Sequence, residues 1–246
     1  MTRTLTLLRL CGVAIVYVSV VSGLPALSTG EGGRTASAQQ PDLDPRIQQL
    51  VAGVSEERLS AILKKLESFG TRSTLSSIDS RTTGIGAARQ WLFDEMKSYS
   101  PRLQVSFDTY RIAKQGRITR DVEIRNVMAV LPGRSARRVY VSGHYDTIAF
   151  AGGQSTNNAG GPRTTELSVS PDDSPAPGVN DDGSGTALTV ELARLFSQSG
   201  MEFDATLVFM CHVAEEQGLV GARLPAQKAV AEKIPIEAIL NNDIVG

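Results

Sequence analysis

The chain has 246 residues, 41% hydrophobic and 21% charged, with 25 basic against 26 acidic side chains and a formal net charge of −1. Ordinary globular statistics apply, so one domain is expected. The balanced charge, with no basic stripe along the chain, argues against a nucleic-acid partner.

Arg3 and Arg9 precede the apolar run LCGVAIVYVSVVSGLPAL, and the small residues ASA follow at 36–38. A basic start, an apolar middle and a small-residue cleavage site mark a secretory signal peptide. Residues 1–38 are therefore expected to be removed, leaving Gln39 as the new N-terminus of a secreted or periplasmic protein. Gly12, Gly23 and Pro25 interrupt the apolar run, which argues against stable membrane insertion after cleavage. Cys11 leaves with the signal, so no internal disulfide is expected. Cys211, which follows Val208, Phe209 and Met210, reads as a packed core thiol.

From Ser55, SEERLSAILKKLESFG places Leu59, Ile62, Leu63, Leu66 and Phe69 at helical spacing, between a serine cap and Gly70. GIGAARQWLFDEMKSY repeats the pattern with Ile85, Ala88, Trp91, Leu92 and Met96, giving a second amphipathic helix. LQVSFDTYRI, VEIRNVMAVLPG and RRVYVSGHYD follow as strand runs, the last two expected to be sheet neighbours. Between 148 and 179 Gly, Ser, Asn, Pro and Asp dominate, which predicts a long surface loop beside the site. GSGTALTVELARLFSQSG is a helix pattern, ATLVFMCHVAEE a strand, PAQKAVAEKI a short helix, and IEAILNNDIVG an apolar run containing Asp243. Strand and helix alternate through the second half, which predicts an α/β domain with a mainly parallel sheet and helices on both faces.

Four polar clusters fall at predicted strand ends or helix starts, the edge where open α/β sheets bind ligands. GHYDT carries His144 and Asp146, and PGVNDDGSGTA carries Asp181 and Asp182. The third cluster is the pair Glu215 and Glu216, and the fourth is Asp243 in NNDIVG. Each alone reads equally as a helix cap or a solvated strand end. Together, six carboxylates at one sheet edge repel one another, and two divalent cations would relieve that repulsion.

These motifs, in the order GHYDT, PGVNDDGSGTA, AEEQGLVGA and NNDIVG, resemble those of the secreted dizinc aminopeptidases of metallopeptidase family 28, over residues 55–246. The resemblance implies the three-layer sandwich of zinc-dependent exopeptidases, with a mixed, mainly parallel central sheet flanked by helices. It implies two zinc ions per complete domain: His144 and Asp243 on one, Glu216 on the other and Asp181 bridging. It further implies that Asp146 orients His144, that Asp182 supports the bridging ligand, and that Glu215 is the general base acting on a water between the metals. The activity so implied is release of N-terminal residues from peptide or protein substrates.

In the family a further histidine ligand comes from a segment downstream of the position of Asp243. This chain has two histidines, His144 and His212. On an extended strand His212 stands about 13 Å from Glu216 at ~3.3 Å per residue, too far to share its metal. The expectation is therefore a catalytic domain at 39–246 lacking its C-terminal part, with weak or absent activity. Two rival readings are a single-zinc glutaminyl cyclase-like aminoacyltransferase and a non-catalytic, peptidase-like binding module.

Overall fold

The computed structural model describes residues 43–149 and 172–246. The expected signal peptide at 1–38, and all but the two ends of the expected loop at 148–179, lie outside the described residues. Among those residues no helix is long and apolar enough to cross a membrane.

Five strands, β1 (Gln104–Ile112), β2 (Val122–Leu131), β3 (Arg138–His144), β4 (Thr206–His212) and β5 (Ile236–Asn241), form one sheet in the order β1-β2-β4-β3-β5. β1 to β2 and β2 to β4 are antiparallel, whereas β4 to β3 and β3 to β5 are parallel. The sheet is mixed, as expected. The expectation that β2 and β3 are neighbours fails, because β4 pairs with both of them. Residues 208–211 of β4 are all buried, and the middle of a covered sheet is the position that hides both faces of such a strand.

Five helices accompany the sheet: α1 (Pro45–Ala52), α2 (Glu56–Glu67), α3 (Gly84–Tyr99), α4 (Gly183–Gln198) and α5 (Val220–Ala231). α2 opens on Ser55, whose side chain accepts from Arg58 N, as the sequence suggests. α1 was not read from the sequence, although Asp44 and Pro45 supply a capping acid and a proline at the first helical position. α3 and α4 lie against the sheet and against each other, and α2 packs on α4. Phe196 of α4 stacks near Phe209 of β4, with ring centroids 6.1 Å apart. The alternate residues Tyr140, Met210 and His212 point to the other face. There, with Ala222, Pro225 and Ala226 of α5, they line a cavity of about 320 Å³.

Two local features fix α4. Gly185 in its first turn lies against Gly143 of β3, where an added Cβ on Gly143 would stand 2.7 Å from the Gly185 backbone. A Cβ on Gly185 would come within 2.4 Å of Asn242 O. Neither residue admits a side chain without parting helix from strand. Further along, the Glu191 carboxylate has no exposed surface and accepts from Arg58 Nε of α2 and Arg194 Nε, both at 3.0 Å. Burial raises its pKa, but the bonds from Arg194 and Arg58 outweigh burial and hold it below the usual carboxylate range.

Gly185→Ala is therefore expected to cost about 2–3 kcal/mol, read from the urea midpoint. Glu191→Ala is expected to cost about 3 kcal/mol at neutral pH, the low end for a broken buried pair because both arginines reach water. The folded pKa of Glu191 lies below the unfolded value of about 4.3, so its contribution is complete above that value. It is lost as pH falls through the folded pKa. The gap between wild type and Glu191→Ala should close in acid; a gap unchanged down to pH 2 contradicts the assignment.

Candidate metal centre

The parallel strands β3, β4 and β5 end on one edge of the sheet, and the candidate residues follow from that alignment. β3 ends in His144, β4 runs into the turn holding Glu215 and Glu216, β5 leads to Asp243, and α4 starts beside Asp181 and Asp182. Chain segments far apart in sequence thus deliver their polar termini to one place.

His144 is 4% exposed. Its Nδ1 lies 3.1 Å from the Asp146 carbonyl oxygen and 3.6 Å from Asp146 Oδ1. A donor at Nδ1 leaves Nε2 as the ligating nitrogen of a neutral ring. Nε2 is 3.2 Å from Asp181 Oδ1 and 3.8 Å from both Asp243 Oδ1 and Glu215 Oε2. His144, Asp181 and Asp243 each present a donor atom within 4.8 Å of the others. One imidazole nitrogen and two carboxylates make a donor set that suits zinc.

Asp146 has no exposed surface, and its carboxylate does more than face the histidine. Oδ1 accepts from Glu215 N at 3.2 Å, and Oδ2 accepts from Glu216 N at 3.3 Å and from Thr74 Oγ1 at 3.1 Å. This carboxylate thus holds two successive amides of the turn after β4. Asp182 is equally buried. Its Oδ2 accepts from His144 N at 2.9 Å, and its Oδ1 from Gly185 N at 2.8 Å and Ile244 N at 3.4 Å. The peptide bond between Asp181 and Asp182 is cis. Of the four metal ligands expected from the sequence, Glu216 lies outside the group of three donors.

The charges strain against one another. Burial alone lowers the His144 pKa, yet hydrogen bonding to Asp146 and Asp181 overrides it and pushes the ring up to about 11. The same contact holds Asp181 below the usual carboxylate range. Burial lifts Asp182 to about 6. Burial, with Asp146 and Asp181 adding their charge, lifts Glu216 to about 8. Glu215 is raised as well, by burial first and then by Asp146 and Asp243. An imidazolium held by carboxylates, with three more acids pushed toward their neutral forms, is a site short of positive charge. A divalent cation in place of the His144 proton supplies it.

Sequence reasoning missed the groups that brace this edge. Arg72, fully buried, donates from Nε to Tyr145 O at 2.7 Å, from Nη1 to Pro177 O at 2.7 Å and from Nη2 to Gly178 O at 2.9 Å. It ties the segment after His144 to the one entering Asp181. Burial lowers its pKa to about 10, against the pull of Asp146 and Asp182. Nothing in TRST distinguishes it from a surface arginine. Asn126 joins Val213 N to Gly221 O across the end of β4, through contacts of 3.0 and 2.8 Å. His212 pairs in register with His144 but is not among the three donors, and burial lowers its pKa to about 4.

Residues 126–246 match the model for peptidase family M28. A probable zinc metalloprotease of Pyricularia oryzae is 41% identical over 220 residues, which are 87% of this chain and 40% of that protein. The chain spans less than half the length of the curated relatives it matches. Among solved structures, the LapA aminopeptidase of Legionella pneumophila superposes with a TM-score of 0.59 at 20% identity, covering 85% of this chain and 50% of that one. A Porphyromonas gingivalis glutaminyl cyclase superposes with a TM-score of 0.61 at 19% identity, covering 78% and 62% respectively. Both likenesses are of fold. All four motifs lie within the residues matched by the family model, and the Pyricularia oryzae relative aligns over most of the chain; the chain belongs to peptidase family M28.

Proposed function

We propose that this domain holds zinc on His144, Asp181 and Asp243 and hydrolyses peptide bonds, releasing N-terminal residues from peptide or protein substrates outside the cytoplasm. The observation that carries the reading is the meeting of His144 Nε2 with Asp181, Asp243 and Glu215 within 3.8 Å. Zinc there would supply Lewis acidity, lowering the pKa of water and polarising a carbonyl. Glu215 is the general base: it takes the proton of the attacking water and returns it to the leaving amine. Burial raises its pKa, the direction that suits a group that must both accept and release a proton. Asp146 positions that base by holding the Glu215 and Glu216 backbone, and Asp182 positions His144.

A second zinc would rest on Glu216, with Asp181 shared between the two ions. His212 does not join the donor group, so Asp181 and Glu216 are the protein donors for that ion among the described residues. Two donors are fewer than the three protein ligands usual for catalytic zinc. Zinc is therefore expected to bind more firmly at His144 than at Glu216. One group of three donors among the described residues also favours a second reading, single-zinc aminoacyl transfer as in a glutaminyl cyclase. Zinc stoichiometry in a full-length relative separates the two: two ions for hydrolysis, one for cyclisation.

Glu215→Gln should keep the rise in melting temperature that zinc gives the wild type, while lowering any hydrolysis of leucyl nitroanilide by ~100-fold or more. Loss of the zinc-dependent stabilisation instead would show that Glu215 is a ligand and Glu216 the base. Asp146→Asn should weaken zinc about 10–100-fold in competition with a chelator, because the His144 ring loses its partner. Unchanged affinity would remove Asp146 from the orienting role.

A further inference from the structure

Arg89 lies on the inner side of α3 with 9% of its surface exposed. Its guanidinium makes no hydrogen bond or close ion pair to a described residue; Glu123 and Asp79 act on it only from a distance. Arg72, more deeply enclosed, differs: every donor-bearing arm of Arg72 reaches a carbonyl. Its nitrogens are not fully shut from solvent and open onto a cavity at the surface, while burial of the rest of the group holds the Arg89 pKa below the usual value.

Arg89 lines a polar cavity of about 670 Å³ that shares no residue with the cavity beside His144. Lys65, Arg81, Arg89 and Arg125 line it against two acids, Asp79 and Asp94. Asp94 is partly engaged by Gln90 Nε2 at 3.1 Å, and Arg125 is paired with Glu123 at 2.6 Å. Trp91 forms part of the wall. The lining carries two more cations than acids, and a phosphate group brings about −1.5 to −2 charges at neutral pH, where a carboxylate brings one. Guanidinium groups match phosphate oxygens two by two. The cavity is larger than a bare phosphate, which leaves space against Trp91 for the rest of the molecule.

We propose that this cavity is a binding site for a phosphate-bearing small molecule, its phosphate seated on Arg89 with Arg81, Arg125 and Lys65 supplying the surrounding charge. Trp91 is the only tryptophan of the chain, so its fluorescence reports on the cavity directly. Inorganic phosphate, titrated at constant ionic strength, is expected to give a saturable change that chloride does not, and Arg89→Gln should weaken it roughly tenfold or more. Far-UV circular dichroism checks that the variant is folded. Should Arg89→Gln not fold, Arg81→Gln, whose side chain is exposed, carries the same test. The absence of a saturable phosphate signal, or an unchanged phosphate affinity in a folded variant, overturns the proposal. Acetate binding as well as phosphate overturns the choice of phosphate.

Discussion

Asp182 accepts hydrogen bonds from the backbone of three separate segments: His144 at the end of β3, Gly185 in the first turn of α4, and Ile244 beyond β5. The donor group depends on that junction. His144, Asp181 and Asp243 come from these same segments, so the buried carboxylate sets their spacing through main-chain contacts while taking no place among the donors itself. Main-chain anchoring suits the purpose, because a side-chain hinge would leave each ligand free to swing. The close approach of Gly143 and Gly185 makes the junction possible, since any Cβ there would lift α4 off the strand. Sequence order, glycine placement and ligand geometry are one constraint seen at three scales.

The cost of the arrangement is electrostatic. His144, Asp146 and Asp182 are all nearly or wholly buried within a few residues of the sheet edge, and the compensating cation behind them, Arg72, spends its donors on carbonyls. Its charge still acts on Asp146 and Asp182 across the short distance. It cannot enter the donor group, so the acids there settle on the His144 proton. A ligating imidazole must be neutral, and metal therefore competes with that proton. The surplus of carboxylates that makes the ring hard to deprotonate is the same surplus that makes a divalent ion welcome.

The sequence carried the helices and the chemistry better than the sheet. Ser55, the 3.6-residue spacing of Leu59, Ile62 and Leu66, and the glycine stops are local signals, and local signals fix helices. The four motifs were legible because parallel strands carry their C-terminal ends to one edge, so acids after three strands must meet. Strand order was not legible: β4 enters between β2 and β3 through contacts across some eighty residues, and no spacing rule encodes them. Arg72 and Arg89 look alike as letters. One is saturated with carbonyls and the other faces a cavity, and only the tertiary environment separates them.

The adjacent pair Glu215 and Glu216 shows how a backbone detail divides labour. On a regular strand neighbouring side chains alternate faces, and one of two consecutive glutamates would be turned away from the sheet edge. Here β4 ends at His212, Ala214 adopts a positive φ of 58°, and both following amides point to the carboxylate of Asp146. One acceptor thus grips two successive N–H groups, which fixes the pair as a unit in a turn rather than on a pleat. Glu215 then comes within 3.8 Å of His144 Nε2. Glu216 remains near enough to Asp181 for that charge to raise its pKa. Two carboxylates with one covalent spacing meet different surroundings, which is the condition the proposed roles of base and ligand require.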